Sequence, residues 1–321
     1  MWWLLAGSIG QLVLGLFFAR KVRNFALYTL PELIEKQYDR RVALVSSVLI
    51  VVSWVAVVAA QIIAAGKILG IMGVASPQLW MIIFTVVFVF YTVMGGQYAV
   101  IRTDSLQAVI IFIGIFGGLF LLLSRLGGWS GLQSALPADY FSFPLSSGFG
   151  GVSLLSMLLV VGLTYVVGPD MYSRIFCARD DKTARSATLW AALLIIPVAL
   201  AIVLIGMGAA SLFPQIAAEQ SLPVIIKEVL PPLLGAVVLA ALLCAVMSSA
   251  DTTLLSASTI LTVDIIGRLH PALAGEKALP ASRWVIVLLG IVSLVVALLM
   301  QGVISALLFA YTVYTLSLIH I

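Results

Sequence analysis

One apolar stretch of the chain, residues 233–261, carries a row of oxygen-bearing side chains that could hold a small cation. A helix turns by about 100° per residue, which places four residues on one face: Ala245, Ser248, Ser249 and Thr252. Asp251 lies about 60° around the same helix from Ser248. Hydroxyls, a carboxylate and loosened helix carbonyls supply hard oxygen ligands, so the pattern predicts a cation site.

The same hydroxyls have a purely structural interpretation. Ser248, Ser249 and Thr252 could donate to carbonyls one turn earlier and pack against neighbouring helices without binding anything. Asp251 favours the cation site, because a carboxylate surrounded by hydrocarbon is costly and normally faces a bundle interior or a water-filled cavity.

A glycine pair, Gly95-Gly96, predicts a tight hairpin between two apolar runs. Asp104 is then placed at the mouth of the following run. There its carboxylate could face a binding site, or Asp104 and Thr103 could simply cap the helix. The spacing alone leaves both interpretations open.

A second pair, Gly168-Pro169, predicts a kink or a break, because proline lacks the N–H that continues a helix. Broken helices at membrane depth are tolerated where they line a cavity, which makes Tyr165 and Asp170 candidates for binding. A plain proline kink at the inner boundary is the alternative. Gln61, in an earlier apolar run, is interpreted as a hydrogen bond between helices.

These residues must be positioned by membrane helices. The chain is 63% hydrophobic and 9% charged, far from the roughly 25% charged residues of soluble domains. Apolar runs near the ~20 residues that cross a hydrocarbon core recur nine times: 2–19, 42–72, 79–95, 105–125, 150–168, 186–212, 233–262, 283–300 and 302–318. They lack period-two alternation, so an all-α membrane protein is predicted, a polytopic bundle of about nine transmembrane helices.

The basic residues orient this bundle. With the amino terminus outside, fourteen of the seventeen Lys and Arg residues fall in inner loops, as the positive-inside rule requires. Only Lys67, Arg125 and Lys227 fall outside. The net charge of +4 is therefore a topological signal and predicts no nucleic-acid partner. A multi-pass protein of the cell (inner) membrane is expected, with the charges of the segment from Arg174 to Arg185 serving as inner-loop anchors.

Several classes of catalyst lack sequence support, and no enzyme is predicted. The chain contains no HExxH, GxGxxG or Walker motif. The serine in Gly128-Trp-Ser-Gly131 has no helical histidine as base, since His270 is in a loop and His320 is near the end. Cys177 and Cys244 lie on different spans, so neither a disulfide nor a metal site is indicated.

Three motifs give the chain a family resemblance: Gly95-Gly-Gln-Tyr-Ala-Val-Ile-Arg-Thr-Asp-Ser-Leu-Gln107, Pro169-Asp-Met-Tyr-Ser-Arg174 followed by Ala178-Arg-Asp-Asp, and Ala245-Val-Met-Ser-Ser249. In this order they resemble the sodium:solute symporter family, over essentially the whole chain. The resemblance implies a leucine-transporter-like core of two inverted five-helix repeats. It also implies coupling of Na⁺ flow to uptake of a small organic solute across the bilayer.

The resemblance also implies roles for particular residues. The common sodium site of the family falls on Ala245, Ser248 and Ser249. A second site, present in some members, falls on four residues: Asp104, Ser248, Asp251 and Thr252. Asp251 stands where some relatives have a hydroxyl, so this second site could take sodium, take a proton or be absent. The substrate contacts fall near Tyr165 and Asp170.

The span count departs from the family pattern. The first span here corresponds to the second core helix, so the expectation is a partial transporter domain over residues 1–315 that lacks the first core helix and the end of the last one. Residues 316–321 are expected to be a non-native tail. This polypeptide is predicted not to transport on its own. A non-transporting sensor or membrane scaffold on the same fold is the alternative function.

Overall fold

The computed structural model describes residues 1–216, 220–273, 275–300 and 302–320, with side chains of the last helix described through 314. Described residues form no strand, and twelve helices contain most of them. They are α1 (Trp2–Asn24), α2 (Leu30–Gln37), α3 (Arg40–Gly70), α4 (Pro77–Arg125), α5 (Gly128–Ala135), α6 (151–167), α7 (Pro169–Cys177), α8 (Asp181–Leu212), α9 (Ser221–Val224), α10 (Pro232–Leu269), α11 (Ala278–Leu299) and α12 (Val303–His320). The expected tail, 316–321, lies outside the described side chains.

Seven helical segments in the described part of the chain are long and apolar enough to cross a membrane, with α6 and α7 together forming one of them. A shorter apolar helix covers Val303–Tyr314. The protein is therefore a multi-pass membrane protein built from helices. The predicted number of nine spans stays a prediction, because two of the predicted runs lie in the single element α4.

α4 is divided by Gly96, whose φ of 56° and ψ of −165° are not helical. The arms 77–95 and 97–125 fold back on each other at this turn. The hydrogen bond between the side chains of Tyr91 and Thr103 shows that the two arms are close together. Along a straight helix these residues would be about 18 Å apart. The hairpin expected at Gly95-Gly96 is present, and its turn requires the positive φ that glycine tolerates.

The main hydrophobic core surrounds α3, which crosses the middle of the bundle. Ile50, Trp54 and Ile62 of α3 are almost fully buried and belong to one cluster with Phe88 of α4 and Leu254 of α10. A second cluster packs the other arm of α4 against α8 and the segment 222–230. As a result α10 lies against both α3 and α4, and its polar residues are held inside the bundle.

The break predicted at Gly168-Pro169 is present. Helix α6 ends at Val167, Gly168 is extended with a ψ of 122°, and α7 starts at Pro169. Tyr314 of α12 donates a hydrogen bond to the carbonyl of Val167. The interruption therefore frees a backbone acceptor, and a side chain from another helix satisfies it.

Helix α1 packs closely on α6 through glycine. At Gly10 a Cβ would overlap the carbonyl oxygen of Gly162, and at Gly7 it would lie 2.7 Å from the ring of Tyr165. Small residues let two membrane helices approach until their backbones touch. This contact fixes α1 beside the half of the broken helix that carries Tyr165.

A cluster of ion pairs joins α2 to the end of α10. The Nη2 of Arg268 lies 2.5 Å from Glu35 Oε2 and 3.0 Å from Asp264 Oδ1. Asp264 is fully buried. Thr29 accepts a hydrogen bond from the N–H of Glu32 and Glu32 accepts one from Thr29, the reciprocal cap that starts α2.

Candidate ion and solute site

A polar cavity of about 250 Å³ lies where α1, α3, α6, α7 and α10 meet. The residues that line it are Gln11, Trp54, Val57, Gln61, Thr164, Tyr165, Asp170, Met171, Arg174, Ile195, Ser248, Ser249, Thr252, Thr253 and Tyr311. Both ends of the helix break and the hydroxyl row of α10 therefore share one cavity. A larger cavity, about 600 Å³, is mostly apolar, and Arg283 is its only charged residue among the described ones.

The predicted hydroxyl pair faces this cavity. Ser248 and Ser249 both line it, while their carbonyls accept hydrogen bonds from Thr252 and Thr253 one turn later. Back-bonding therefore exists in this helix, but it is made by the two threonines, and neither serine hydroxyl donates to a carbonyl of its own helix. Ala245 lies one turn before Ser249 on α10 and does not line the cavity.

Asp104 makes a long-range contact with this pair. The Oγ of Ser248 donates to Asp104 Oδ1 at 2.5 Å. Asp104 lies inside the second arm of α4 and does not cap it, because the helix already runs from residue 97. The capping alternative is therefore wrong, and the carboxylate is instead directed at α10.

Arg174 is the largest correction to the sequence-based interpretation. It was expected to be an inner-loop anchor, but it lies within α7, and its guanidinium lines the cavity. Its Nη2 lies 2.9 Å from Asp104 Oδ2 and 3.0 Å from Thr252 Oγ1. Helix α7 starts at the break, and Arg174 within it joins Asp104 of α4 to Thr252 of α10.

Asp251 is fully buried and does not line the cavity. Its Oδ1 accepts only a long bond, 3.4 Å, from Thr252, and its Oδ2 has no hydrogen-bond partner in the described part of the chain. The neighbours Asp251 and Thr252 thus face different surroundings: the hydroxyl reaches Arg174, and the carboxylate lies behind it.

The two residues expected to contact substrate are also brought together. Tyr165 is in the last turn of α6 and Asp170 in the first turn of α7, and both line the cavity. A carboxylate in the first turn of a helix is stabilised by the helix dipole. Asp170 has no ion pair with a described residue, in contrast to Asp104.

Several lining residues were missed or underrated by the sequence reasoning. Gln11 is 6% exposed; its Nε2 donates weakly to the sulfur of Met171, and its Oε1 has no partner among described groups. Trp54 is 2% exposed, and its Nε1 is likewise unpaired there. Gln61, interpreted as a bond between helices, faces the cavity as well. Gln11 and Gln61 are each a single glutamine in an apolar run, and this is the sequence pattern that could have indicated them.

Chemically, the cavity combines two kinds of surface. On one side, the hydroxyls of Ser248 and Ser249 are hard oxygen ligands that suit an alkali ion, and the Asp104 carboxylate is hydrogen-bonded to Ser248. Amides, an indole N–H and phenol rings on the other side suit a small organic molecule that makes a few directed hydrogen bonds. Helices interrupted beside such a cavity are typical of secondary transporters.

The fold and the cavity thus define a helical, multi-pass membrane protein with a binding site at a broken helix. The chain belongs to the sodium:solute symporter family, whose model matches residues 1–318. This confirms the family resemblance on which the expected fold and roles were based.

Two relatives illustrate the range of the family. The chain is 25% identical to the sodium/glucose cotransporter 4 of Danio rerio, over 94% of this chain and 52% of the relative. It is 26% identical to the sodium/pantothenate symporter of Haemophilus influenzae, over 86% of this chain and 57% of the relative. The chain therefore spans about half the length of these curated relatives. Their names denote transport, which does not favour the alternative of a sensor or scaffold.

A solved structure shares the fold. A Na⁺-coupled sialic acid symporter, in a substrate-bound and outward-open state, superposes with a TM-score of 0.83 at 18% identity. The match covers 98% of this chain and 72% of that one. At this level of identity the likeness concerns the fold alone. It confirms the all-α, leucine-transporter-like class of fold.

Proposed function

We propose that this chain supplies the ion site and the solute cavity of a secondary transporter that couples Na⁺ entry to uptake of a small organic solute. The observation that carries the proposal is the shared cavity. The hydroxyls of Ser248 and Ser249 open onto the same space as Tyr165 and Asp170, so an ion and a solute would bind within one enclosure.

Sodium is the ion that these ligands suit. Ser248 and Ser249 provide hydroxyls, and α10 provides carbonyls near Ala245, which together form the oxygen set expected for the common site of the family. Asp104 and Thr252 flank the neighbouring position assigned to the second site, with the buried Asp251 next to Thr252. Tyr165 and Asp170 are assigned to the solute, together with Gln11, whose Oε1 has no other described partner.

Coupling follows from differential affinity. An ion bound at α10 stabilises whichever arrangement of the broken helix completes its coordination, and a solute that binds the same arrangement then binds more tightly. The free energy is electrical as well as chemical, about 2.3 kcal/mol per charge for each 100 mV. The inner, cytoplasmic membrane, with the basic loops inside, is the proposed location.

Sodium binding tests the ion site directly. The purified chain should bind ²²Na⁺ in detergent at equilibrium, and Ser249→Ala should lower the affinity at least tenfold, about 1.4 kcal/mol. Ser258→Ala is the matched control, because Ser258 is on the same helix, is fully buried and donates only to Leu255 O. Equal loss in both variants, or no saturable sodium binding in the unaltered chain, would contradict the proposal.

The solute is found by a second measurement. Sugars, polyols, carboxylic acids and quaternary amines are screened for thermal stabilisation in NaCl and in KCl. A solute of this transporter should stabilise the chain in NaCl only, because the arrangement of the cavity that binds the solute forms only when sodium is bound. Stabilisation that is equal in both salts would argue against coupling.

A further inference from the structure

Arg174 contacts the groups that would surround a second bound cation. Its Nη2 is 2.9 Å from Asp104 Oδ2 and 3.0 Å from Thr252 Oγ1. We infer that the guanidinium of Arg174 is a tethered cation that fills the second ion position, so that the chain binds one sodium ion and not two. This inference rests on the proposed function and specifies its ion count.

The geometry is that of an occupied site. Asp104 has one oxygen on Ser248 and the other on Arg174, so both of its oxygens are engaged within the protein. Thr252 accepts from Arg174 and donates to the Ser248 carbonyl. A sodium ion between Asp104 and Thr252 would have to displace Arg174 from both.

The position next to it remains open. Ser249 lines the cavity and shares no hydrogen bond with Arg174 in the described structure. Arg174 thus blocks the position between Asp104 and Thr252, while the Ser249 hydroxyl and the lone pairs of the Ser248 oxygen can still bind an ion.

The position of Arg174 allows it to set the number of sodium ions bound, in addition to linking two helices. Its side chain is 39% exposed and that of Asp104 is 19% exposed, and Arg174 itself lines the open cavity. Removing the guanidinium therefore leaves a space that solvent and ions can reach, with the Asp104 carboxylate beside it. A neutral side chain at 174 should attract a second sodium into that space.

The experiment counts sodium ions on the purified full chain. Saturation binding of ²²Na⁺ should give one ion per unaltered chain and two ions per chain for Arg174→Gln and Arg174→Met. Arg174→Lys keeps the charge and should remain at one. A purely structural role would change the thermal stability of all three variants without changing the number of ions bound.

Each outcome decides the matter. A neutral variant that still binds one ion, or an unaltered chain that binds two, would overturn the inference and leave the proposed function standing. No saturable binding in any form would instead contradict the proposed function. If neither neutral variant folds, the ion number of the unaltered chain decides, since one ion supports the inference and two overturn it.

Discussion

Ser248 donates a hydrogen bond of 2.5 Å to the carboxylate of Asp104, although 144 residues separate them along the chain. The contact ties the second arm of α4 to the hydroxyl row of α10. Arg174 of α7 completes the group from the other side. Three helices therefore meet at one carboxylate. The effects of substituting Asp104, Ser248 and Arg174 on the free energy of unfolding should depend on one another.

Substitutions of Asp104 and Arg174 should be strongly non-additive. Asp104→Ala leaves the guanidinium without its partner, and Arg174→Ala leaves the carboxylate with Ser248 alone. The double variant loses both charges, so it should be more stable than the sum of the single losses indicates, by about 1–2 kcal/mol. Thermal or denaturant unfolding in detergent without sodium measures this cycle. Additive effects would show that the ion pair contributes nothing to stability.

Gly10 should not tolerate a methyl group. In Gly10→Ala the new Cβ overlaps the carbonyl oxygen of Gly162, so α1 must move away from α6. We expect a loss of about 1–3 kcal/mol, typical of overpacking. Gly206→Ala is the control, because no atom lies within 4 Å of its added Cβ and alanine favours a helix by about 1 kcal/mol over glycine. Thermal unfolding of both variants gives the comparison, and similar changes would disprove the close contact.

Arg268 should be important for stability at the inner end of α10. Arg268→Ala leaves the fully buried Asp264 without its cation and releases Glu35 of α2. Removing one member of a buried pair costs about 3 kcal/mol or more.

Arg179→Ala is the matched control for this prediction, since the side chain of Arg179 is 88% exposed in its pair with Asp180. Exposed pairs contribute roughly 1 kcal/mol or less. The prediction is checked by unfolding in detergent, and it fails if both arginines prove equally dispensable.

The start of α8 should be sensitive to acid. The backbone N–H of Thr183 donates to the Asp180 carboxylate at 2.6 Å and lowers the pKa of Asp180 to about 2. A pKa lowered by folding stabilises the folded state above the ordinary value, and this stabilisation is lost as the pH falls towards 2.

Asp180→Ala should therefore lower the unfolding temperature at pH 6, and the difference from the unaltered chain should shrink between pH 4 and pH 2. Asp181→Ala is the control, because the Asp181 carboxylate lies 3.8 Å from Arg20 and does not form the cap. A difference that stays constant with pH would show that the ionised carboxylate is not responsible.

The sequence predicted the features that depend on local chemistry. Gly168-Pro169 cannot continue a helix, and the break is there. The glycines before Gln97 allow a reversal, and the chain turns back at Gly96. The face shared by Ser248 and Ser249 follows from helical geometry, and both residues do line a common cavity.

Features that depend on contacts between distant segments could not be predicted. Arg174 has the composition of a loop anchor, and only the orientation of α7 after the break directs it at Asp104. Gln11 and Trp54 lie in apolar runs, where a single polar group does not show which face of the helix is turned towards the cavity. The pair of Glu35 and Arg268 joins segments more than two hundred residues apart, and no pattern within either segment indicates it. The sodium and substrate roles themselves stay predictions.

The extended residue Gly168 divides one membrane crossing into two rigid pieces. The outer piece carries Tyr165 and is held by the glycine contact with α1, while the inner piece carries Arg174. Because Gly168 interrupts the helical hydrogen bonds, a change in its backbone angles would turn the inner piece relative to the outer piece. Movement of the guanidinium would then leave the tyrosine side of the enclosure undisturbed.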